Sequence, residues 1–364
     1  MQPNRKIYFG AGPAQLPEEV LKEASEAIID FNYGGLSILE IPHRGKSFDN
    51  ILSEADSLVK ELCELGDQYH VLWLPGGGRL QFAMVPMNFL ANETAAGYID
   101  SGHWSAEAIK YAKYYGQAEI LSSSKEWNYD RLPGFPRAIS KDIAYLHLTT
   151  NNTIYGTQWK DISRADVPLI ADMSSDIFGI KRNYKDYSLF YAVAQKNLGA
   201  AGATMVVIHD EMLKRIKRDV PSLLSYEAQV KANSVVNTPP VFSIYTSLLM
   251  LRWTKKKSLA AIQRANVDKA TLLYNEVERN TLFDVVVSVK EHRSLMNVCF
   301  RAINSEIEKA FSDFCSRNGI VGLEGHRTVG GFRVSLYNAI TIAEVEKLIA
   351  MMQEYERGEL AKGS

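Results

Sequence analysis

Lys196 stands at the end of a small apolar run, Tyr191-Ala-Val-Ala-Gln-Lys196, directly before the small-residue loop Asn197-Leu-Gly-Ala-Ala-Gly202. A β-branched run over 204–208 follows and reads as a strand. The lysine is therefore expected between a strand end and a strand start, where small neighbours let a bulky group approach its amine. A desolvated lysine loses basicity and becomes a nucleophile toward carbonyl carbons. A solvated loop lysine is the plain alternative, and an acid upstream bears on the choice. Val167-Pro-Leu-Ile-Ala-Asp172 has the character of a buried strand ending in a carboxylate, with 23 residues between Asp172 and Lys196. An aspartate at the carboxyl end of a parallel strand faces the crevice in which α/β sheets bind ligands.

A lysine and a carboxylate so placed meet the needs of pyridoxal phosphate, whose aldehyde takes a lysine and whose pyridine nitrogen takes an acid. The elements that must position them follow the same pattern. A strand over 70–74 runs into Pro75-Gly-Gly-Gly78-Arg79 and then a helix over 80–90. Strand, glycines and helix make a phosphate cradle of bare N–H groups at a positive helix end. The spacing is neither G-x-x-x-x-G-K-[ST] nor G-x-G-x-x-G, which speaks against a nucleotide. A second strand end at Asp100 precedes Ser101-Gly-His103-Trp104, where Trp104 could stack on a flat ring. A strand over 143–148 leads to the polar stretch Thr149-Thr-Asn-Asn-Thr153. Strand ends at Leu74, Asp100, Leu148, Asp172 and Gln195 thus carry the unusual residues, as when a doubly wound parallel sheet presents one site along its carboxyl edge.

Other stretches supply loops and cations. Phe9-Gly-Ala-Gly-Pro-Ala14 is turn-rich, and Pro17 is expected near the first turn of a helix. Ile41-Pro-His43-Arg44-Gly-Lys46 gathers titratable side chains before a helix over about 47–65. Asn237-Thr238 is stiffened by Pro239 and Pro240, a helix runs to Trp253, and Lys255-Lys-Lys257 is expected to be a hinge. The remainder alternates helix (259–280), strands (283–289 and 297–301), helix (305–318, stopped by Gly319), strand and helix (342–357), a smaller α+β unit holding His326, Arg327 and Arg333. The expected division is a large domain over 17–258 and a small one from 1–16 and 259–364.

At 364 residues, 46% hydrophobic and net charge −1, the chain can bury a large core. It lacks the basic excess that nucleic acid requires. Cys63, Cys299 and Cys315 are odd in number and fit neither a disulfide framework nor a zinc site, so a cytoplasmic location and no metal are expected. The first residues, Met-Gln-Pro-Asn-Arg-Lys, lead into no long apolar run, and no stretch approaches the ~20 apolar residues of a membrane span.

Seven motifs in order now carry a resemblance over nearly the whole chain. They are F-x-x-G-P-A at 9–14, I-x-H-R-G-K at 41–46, G-G-G-R at 76–79, D-S-G-H-W at 100–104, A-Q-K-N at 194–197, N-T-P-P at 237–240 and G-H-R-x-V-G-G-x-R at 325–333. The chain resembles the phosphoserine aminotransferase family of fold-type I pyridoxal-phosphate enzymes. The resemblance implies an α/β fold, with a mostly parallel central sheet flanked by helices and a smaller α+β domain. It implies reversible transfer of an amino group between L-glutamate and 3-phosphohydroxypyruvate, giving O-phospho-L-serine and 2-oxoglutarate. Family members often also make 4-phosphohydroxy-L-threonine for pyridoxine synthesis.

Residue by residue, the resemblance implies Lys196 as the Schiff-base lysine and Asp172 as the pyridinium partner. Trp104 would stack on the ring, with Thr153 near the ring oxygen. Gly78, Arg79 and Gln195 would hold the cofactor phosphate, and Asn237 and Thr238 would reach it from the partner subunit of a homodimer. Arg333 would clamp the substrate α-carboxylate, and His43, Arg44, His326 and Arg327 would surround the distal anion. Ala11 stands where members often have serine, and Asn152 where many have glutamate. A lyase or desulfurase of the same fold is the alternative; a desulfurase needs a nucleophilic cysteine in a mobile loop.

Overall fold

The computed structural model describes residues 5–91, 93–216 and 218–363, so residues 1–4, which open the expected small domain, lie outside it. A seven-stranded sheet forms its centre, in the order Tyr69–Pro75, Ala203–His209, Leu189–Val193, Leu169–Asp172, Ile143–Thr149, Ala95–Asp100, Gln117–Ser123. Six of the seven strands run in one direction, and Ala203–His209 is antiparallel to both its neighbours. The sheet is mostly parallel, as expected, with one antiparallel strand. Only the segment 194–202 joins Leu189–Val193 to Ala203–His209. That is too short for the crossover a parallel neighbour would need, so the chain must turn back.

The inner strands are largely apolar because both faces are covered, whereas the edge strand Gln117–Ser123 is more polar and partly exposed. Alternate residues point to opposite sides. Trp73, Leu146, Leu148, Phe190, Ala192, Met205 and Val207 pack on one face, under the helices Lys46–Leu62 and Val241–Lys257. Leu72, Leu74, Tyr145, Tyr191, Val206 and Ile208 pack on the other, under the helices Gly78–Phe89 and His103–Ala112. A third core, built on Phe283, Phe300, Phe311 and Phe332, lies between the three-stranded sheet Phe283–Val285, Asn297–Ala302, Phe332–Ser335 and the helices Leu259–Arg279, Ser305–Arg317 and Ile342–Gly363. The N-terminal segment belongs to this third core. Phe9 is fully buried in it, and the short strand Ile7–Tyr8 pairs in parallel with Ile320–Val321.

Several boundaries differ from the sequence reading. Pro17 caps the first helix, which starts at Glu18, because proline supplies no N–H to the first turn. The helix expected over 47–65 spans Lys46–Leu62 and that over 80–90 spans Gly78–Phe89. The strand expected over 283–289 is only Phe283–Val285. The lysine run 255–257 is not a linker: it is the last turn of the helix Val241–Lys257, with Lys255 paired to Glu61 at 2.7 Å and Lys256 to Glu19 at 3.2 Å. The break falls at Ser258, in a left-handed conformation with φ 67°.

Candidate active site

The carboxyl ends of the co-directional strands open on a cavity of about 430 Å³, within the range of small-molecule sites. Its wall includes Gly77, Gly78 and Arg79 from the loop after Tyr69–Pro75, Trp104 after Ala95–Asp100, Thr149 and Thr153 around the end of Ile143–Thr149, Asp172, Gln195 and Lys196. Ala11, Gly12, His326 and Arg333 close it from the side of the third core.

Lys196 does not sit at a strand end. The strand stops at Val193, and Ala194–Leu198 forms one π-helical turn before Gly199, whose φ is 139°. A π turn is a recurrent feature of functional sites. Gly199 is required here, since an added Cβ would meet the backbone of Thr246 and Ser247 at 3.0 Å. Burial pulls the Lys196 amine down to about 8; Asp172 opposes the shift and Arg333 adds to it. About a tenth of the amine is therefore neutral and nucleophilic at pH 7, far more than for an ordinary lysine.

Asp172 is 5% exposed, and one of its oxygens accepts from the Ser174 N–H at 2.9 Å. Burial raises its carboxyl above the usual aspartate range, against the Ser174 hydrogen bonds and the charge of Lys196. No lysine or arginine forms an ion pair with it among the described residues. A buried carboxylate without a cation calls for a cationic ligand group. The next acid along, Asp176, is by contrast paired with the buried Arg182 at 2.6 Å.

Trp104 lines the cavity, its Nε1 donating to Thr153 Oγ1 at 3.0 Å. That contact occupies an acceptor position of Thr153 and leaves its hydroxyl proton for another partner. The Arg79 guanidinium lies 5.6 Å from the centre of the Trp104 ring. Arg333 reaches in from Phe332–Ser335, with Nη1 3.5 Å from the Thr153 carbonyl and a buried Nε that lacks a partner. His326 accepts from the Thr328 hydroxyl at its Nδ1, 2.5 Å away, so its other ring nitrogen is left to donate. The His103 and His326 rings are 5.6 Å apart at the same wall.

The remaining residues singled out in the sequence are elsewhere. His43 and Thr238 line a separate surface groove with Leu39, Ile41 and Pro240. Asn237 is adjacent in the chain to this groove, and its side-chain oxygen is buried without a partner. Arg44 and Arg327 are exposed. The cavity also uses residues that sequence reasoning missed: Thr149, Ser174 and Gly12. Thr149 is one residue beyond the strand end that was marked, so the strand-end rule alone could have found it. Ser174 and Gly12 carry no such signal.

At the two departures stand uncharged side chains, and the buried Oδ1 of Asn152 has no partner. Asn152 is buried and donates to Thr157 Oγ1 at 2.8 Å, so no charge stands at that position. Ala11 lines the cavity with no hydroxyl. All three cysteines are buried, and burial pushes Cys299 and Cys315 up to about 12 and Cys63 well above its usual range, so none is a ready thiolate.

A mostly parallel sheet with its lysine, acid and aromatic wall at one edge has the form of a fold-type I transferase. The aminotransferase class-V family model matches residues 7–348. The phosphoserine aminotransferase of Flavobacterium psychrophilum is 45% identical over 97% of this chain and 99% of its own length. Among solved structures, the phosphoserine aminotransferase from Bacillus circulans subsp. alkalophilus superposes with a TM-score of 0.95 at 39% identity, covering 98% of this chain and 100% of that one. A PLP-bound phosphoserine aminotransferase from Trichomonas vaginalis gives 0.91 at 32% identity, covering 96% and 100%. The chain belongs to the aminotransferase class-V family, and within it to the phosphoserine aminotransferases.

Proposed function

We propose that this chain is a pyridoxal-phosphate enzyme that transfers the amino group reversibly between L-glutamate and 3-phosphohydroxypyruvate, giving O-phospho-L-serine and 2-oxoglutarate. The observation that carries the reading is the unpaired buried carboxylate of Asp172 sharing one cavity with the depressed amine of Lys196. The residues fit the cofactor. Asp172 would meet a protonated ring nitrogen, Trp104 would face the ring, and the N–H groups at the start of the helix Gly78–Phe89 would hold the phosphate, together with Arg79 and Gln195. The bound cofactor supplies an aldehyde for the lysine and a ring that takes up charge from the substrate Cα.

The chain does the rest. Lys196 carries the proton between the substrate Cα and the cofactor's reactive carbon, a task suited to an amine poised near 8. Asp172 keeps the ring nitrogen protonated. Arg333, with its unpartnered Nε, takes the α-carboxylate as a fork. Both substrates also carry a distal anion; His326 lines the cavity, and the exposed Arg327 follows it in the chain. The reading is tested by a visible absorbance band that shifts on adding glutamate and reverts with 3-phosphohydroxypyruvate. A band that no amino acid shifts would leave a cofactor-binding protein without this activity.

The site is completed by a second copy, giving a cytoplasmic homodimer whose domains divide at about residue 258 and whose small-molecule substrates meet both chains. His43 and Thr238 lie together in a groove off the cavity, and Asn237 next to it has a buried oxygen without a partner. Co-expressing a Lys196→Ala chain with an Asn237→Ala/Thr238→Ala chain is expected to restore about one quarter of full activity, since half the dimers are mixed and each has one intact site. No recovery in the co-expressed sample would place both groups in one chain's site.

Arg44 and Arg327 select the distal anion, whereas Arg333 serves every amino acid. Each charge-assisted contact is worth roughly 1.5–3 kcal/mol, so either distal substitution to alanine should lower kcat/KM for phosphoserine by about 10- to 100-fold. Glutamate, with one charge fewer, should lose less, and Arg333→Ala should lower phosphoserine, glutamate and alanine alike. Equal losses for all three substrates in Arg327→Ala would make its role structural.

A further inference from the structure

Lys269, on the helix Leu259–Arg279, is 1% exposed and has no part in the chemistry above. Its Nζ donates to three backbone carbonyls, those of Leu336 at 3.0 Å, Tyr337 at 3.0 Å and Ile340 at 2.9 Å. A lysine ammonium is the side-chain group with three donors on one atom, which is what three converging carbonyls require. One turn earlier on the same helix, Asn266 Nδ2 donates to Asn338 Oδ1 at 2.9 Å and to the Gly179 carbonyl at 2.9 Å. One helix face therefore grips the segment 336–340 directly after the strand that carries Arg333.

That segment touches the surroundings of Lys196 on two sides. The Asn338 N–H donates at 3.0 Å to the side-chain oxygen of Asn197, the residue next to the lysine. The Tyr337 hydroxyl donates at 2.8 Å to the Ala11 carbonyl. Ala11 and Gly12 line the cavity, and a Cβ added at Gly12 would lie 3.5 Å from Lys196 Cγ. The π turn is thus held from beyond the sheet as well as from within it.

We propose that Lys269 is a positioning residue for transamination: its three carbonyl contacts fix the segment 336–340, and Asn338 and Tyr337 pass that fixity to Lys196. The inference rests on reading Lys196 as the amine that engages the cofactor. Lys269→Met keeps the volume and removes all three donors. In the cofactor-free chain, it should speed hydrogen exchange of the Asn338 amide. In the loaded enzyme, it should move the pH midpoint of the cofactor–lysine absorbance by about half a unit or more. It should also lower kcat by about 10- to 100-fold, with KM changed far less, because a misplacement near 1 Å costs on that order. Lys269→Arg should recover part of both effects. If Lys269→Met folds and shows the original midpoint and kcat, the inference is wrong. If it does not fold, Tyr337→Phe decides, because it removes the hydroxyl link from this segment to Ala11 while leaving the lysine's site filled. An unaltered midpoint and kcat in that variant overturn the proposal, and shifts in both support it. Absence of any absorbance band in the unsubstituted chain would overturn the functional reading itself, and this inference with it.

Discussion

A Lys196→Ala chain should bind its cofactor without a covalent bond and lose turnover by at least about four orders of magnitude. The size follows from the two tasks that end together: covalent capture of the aldehyde, and proton transfer, which alone contributes about 10²–10⁴-fold. Retained binding follows from the geometry, because the glycine cradle with Arg79, Trp104 and Asp172 come from three chain segments other than the lysine's own. The unsubstituted chain provides the control. Its amine is held down to about 8, so it is protonated and inert below that pH and neutral above it. Capture of the aldehyde should therefore speed up as pH rises and level off above about 8. Borohydride reduction reads the outcome, and fixation of cofactor to the alanine variant with undiminished yield would assign the bond to another lysine.

Replacing Asp172 by asparagine should slow single-turnover transamination by about 10²–10³-fold, the usual consequence of losing one preorganised charge at a reacting centre. Asparagine keeps the shape and can still accept from the Ser174 N–H, so the fold has no reason to change. Stability should move the other way from activity. Burial lifts the Asp172 carboxyl, which means that folding disfavours its charged form while the cofactor is absent. A group with a raised folded pKa makes the ionised chain less stable at pH 7, and the neutral amide removes that penalty. The cofactor-free variant should accordingly melt no lower than the original chain, and the difference should shrink as pH falls toward the carboxyl's own range. A near-original single-turnover rate would remove Asp172 from the ring-nitrogen role.

Lys196 and Asp172 were legible because residue type and local pattern coincide there: a reactive side chain where an apolar run meets small residues or stops. Trp104, Gly78 and Arg79 were legible for the same reason, each lying just past a strand. The direction of Ala203–His209 could have been read from the short link before it, and the π turn could not, since nothing in Ala-Gln-Lys-Asn-Leu distinguishes it from a strand end. Ser174 and Gly12 were hidden because their roles are relations across space. Ser174 matters through a backbone N–H that any residue has, and Gly12 through a lysine far away in sequence. The loops carrying His43, Arg44, Asn237 and Thr238 are the opposite case: conspicuous in sequence, yet away from the cavity of their own chain.

The seating of Phe9 bears on how the protein is made. Residues 7–11 find their partners at Gly319–Val321 and beyond, with the Ser335 N–H donating to the Phe9 carbonyl and the Tyr337 hydroxyl to the Ala11 carbonyl, whereas Ala14 bonds to Gln195. During synthesis the large sheet can close when residue 209 has emerged, since every one of its strands is then available. Residues 7–11 gain these contacts only once the chain has grown past residue 337. The cavity wall formed by Ala11 and Gly12 is therefore among the last pieces put in place, although it is among the first translated. A chain that stopped short of residue 320 would have the lysine and the acid but would lack the contacts that seat Ala11 at the cavity wall.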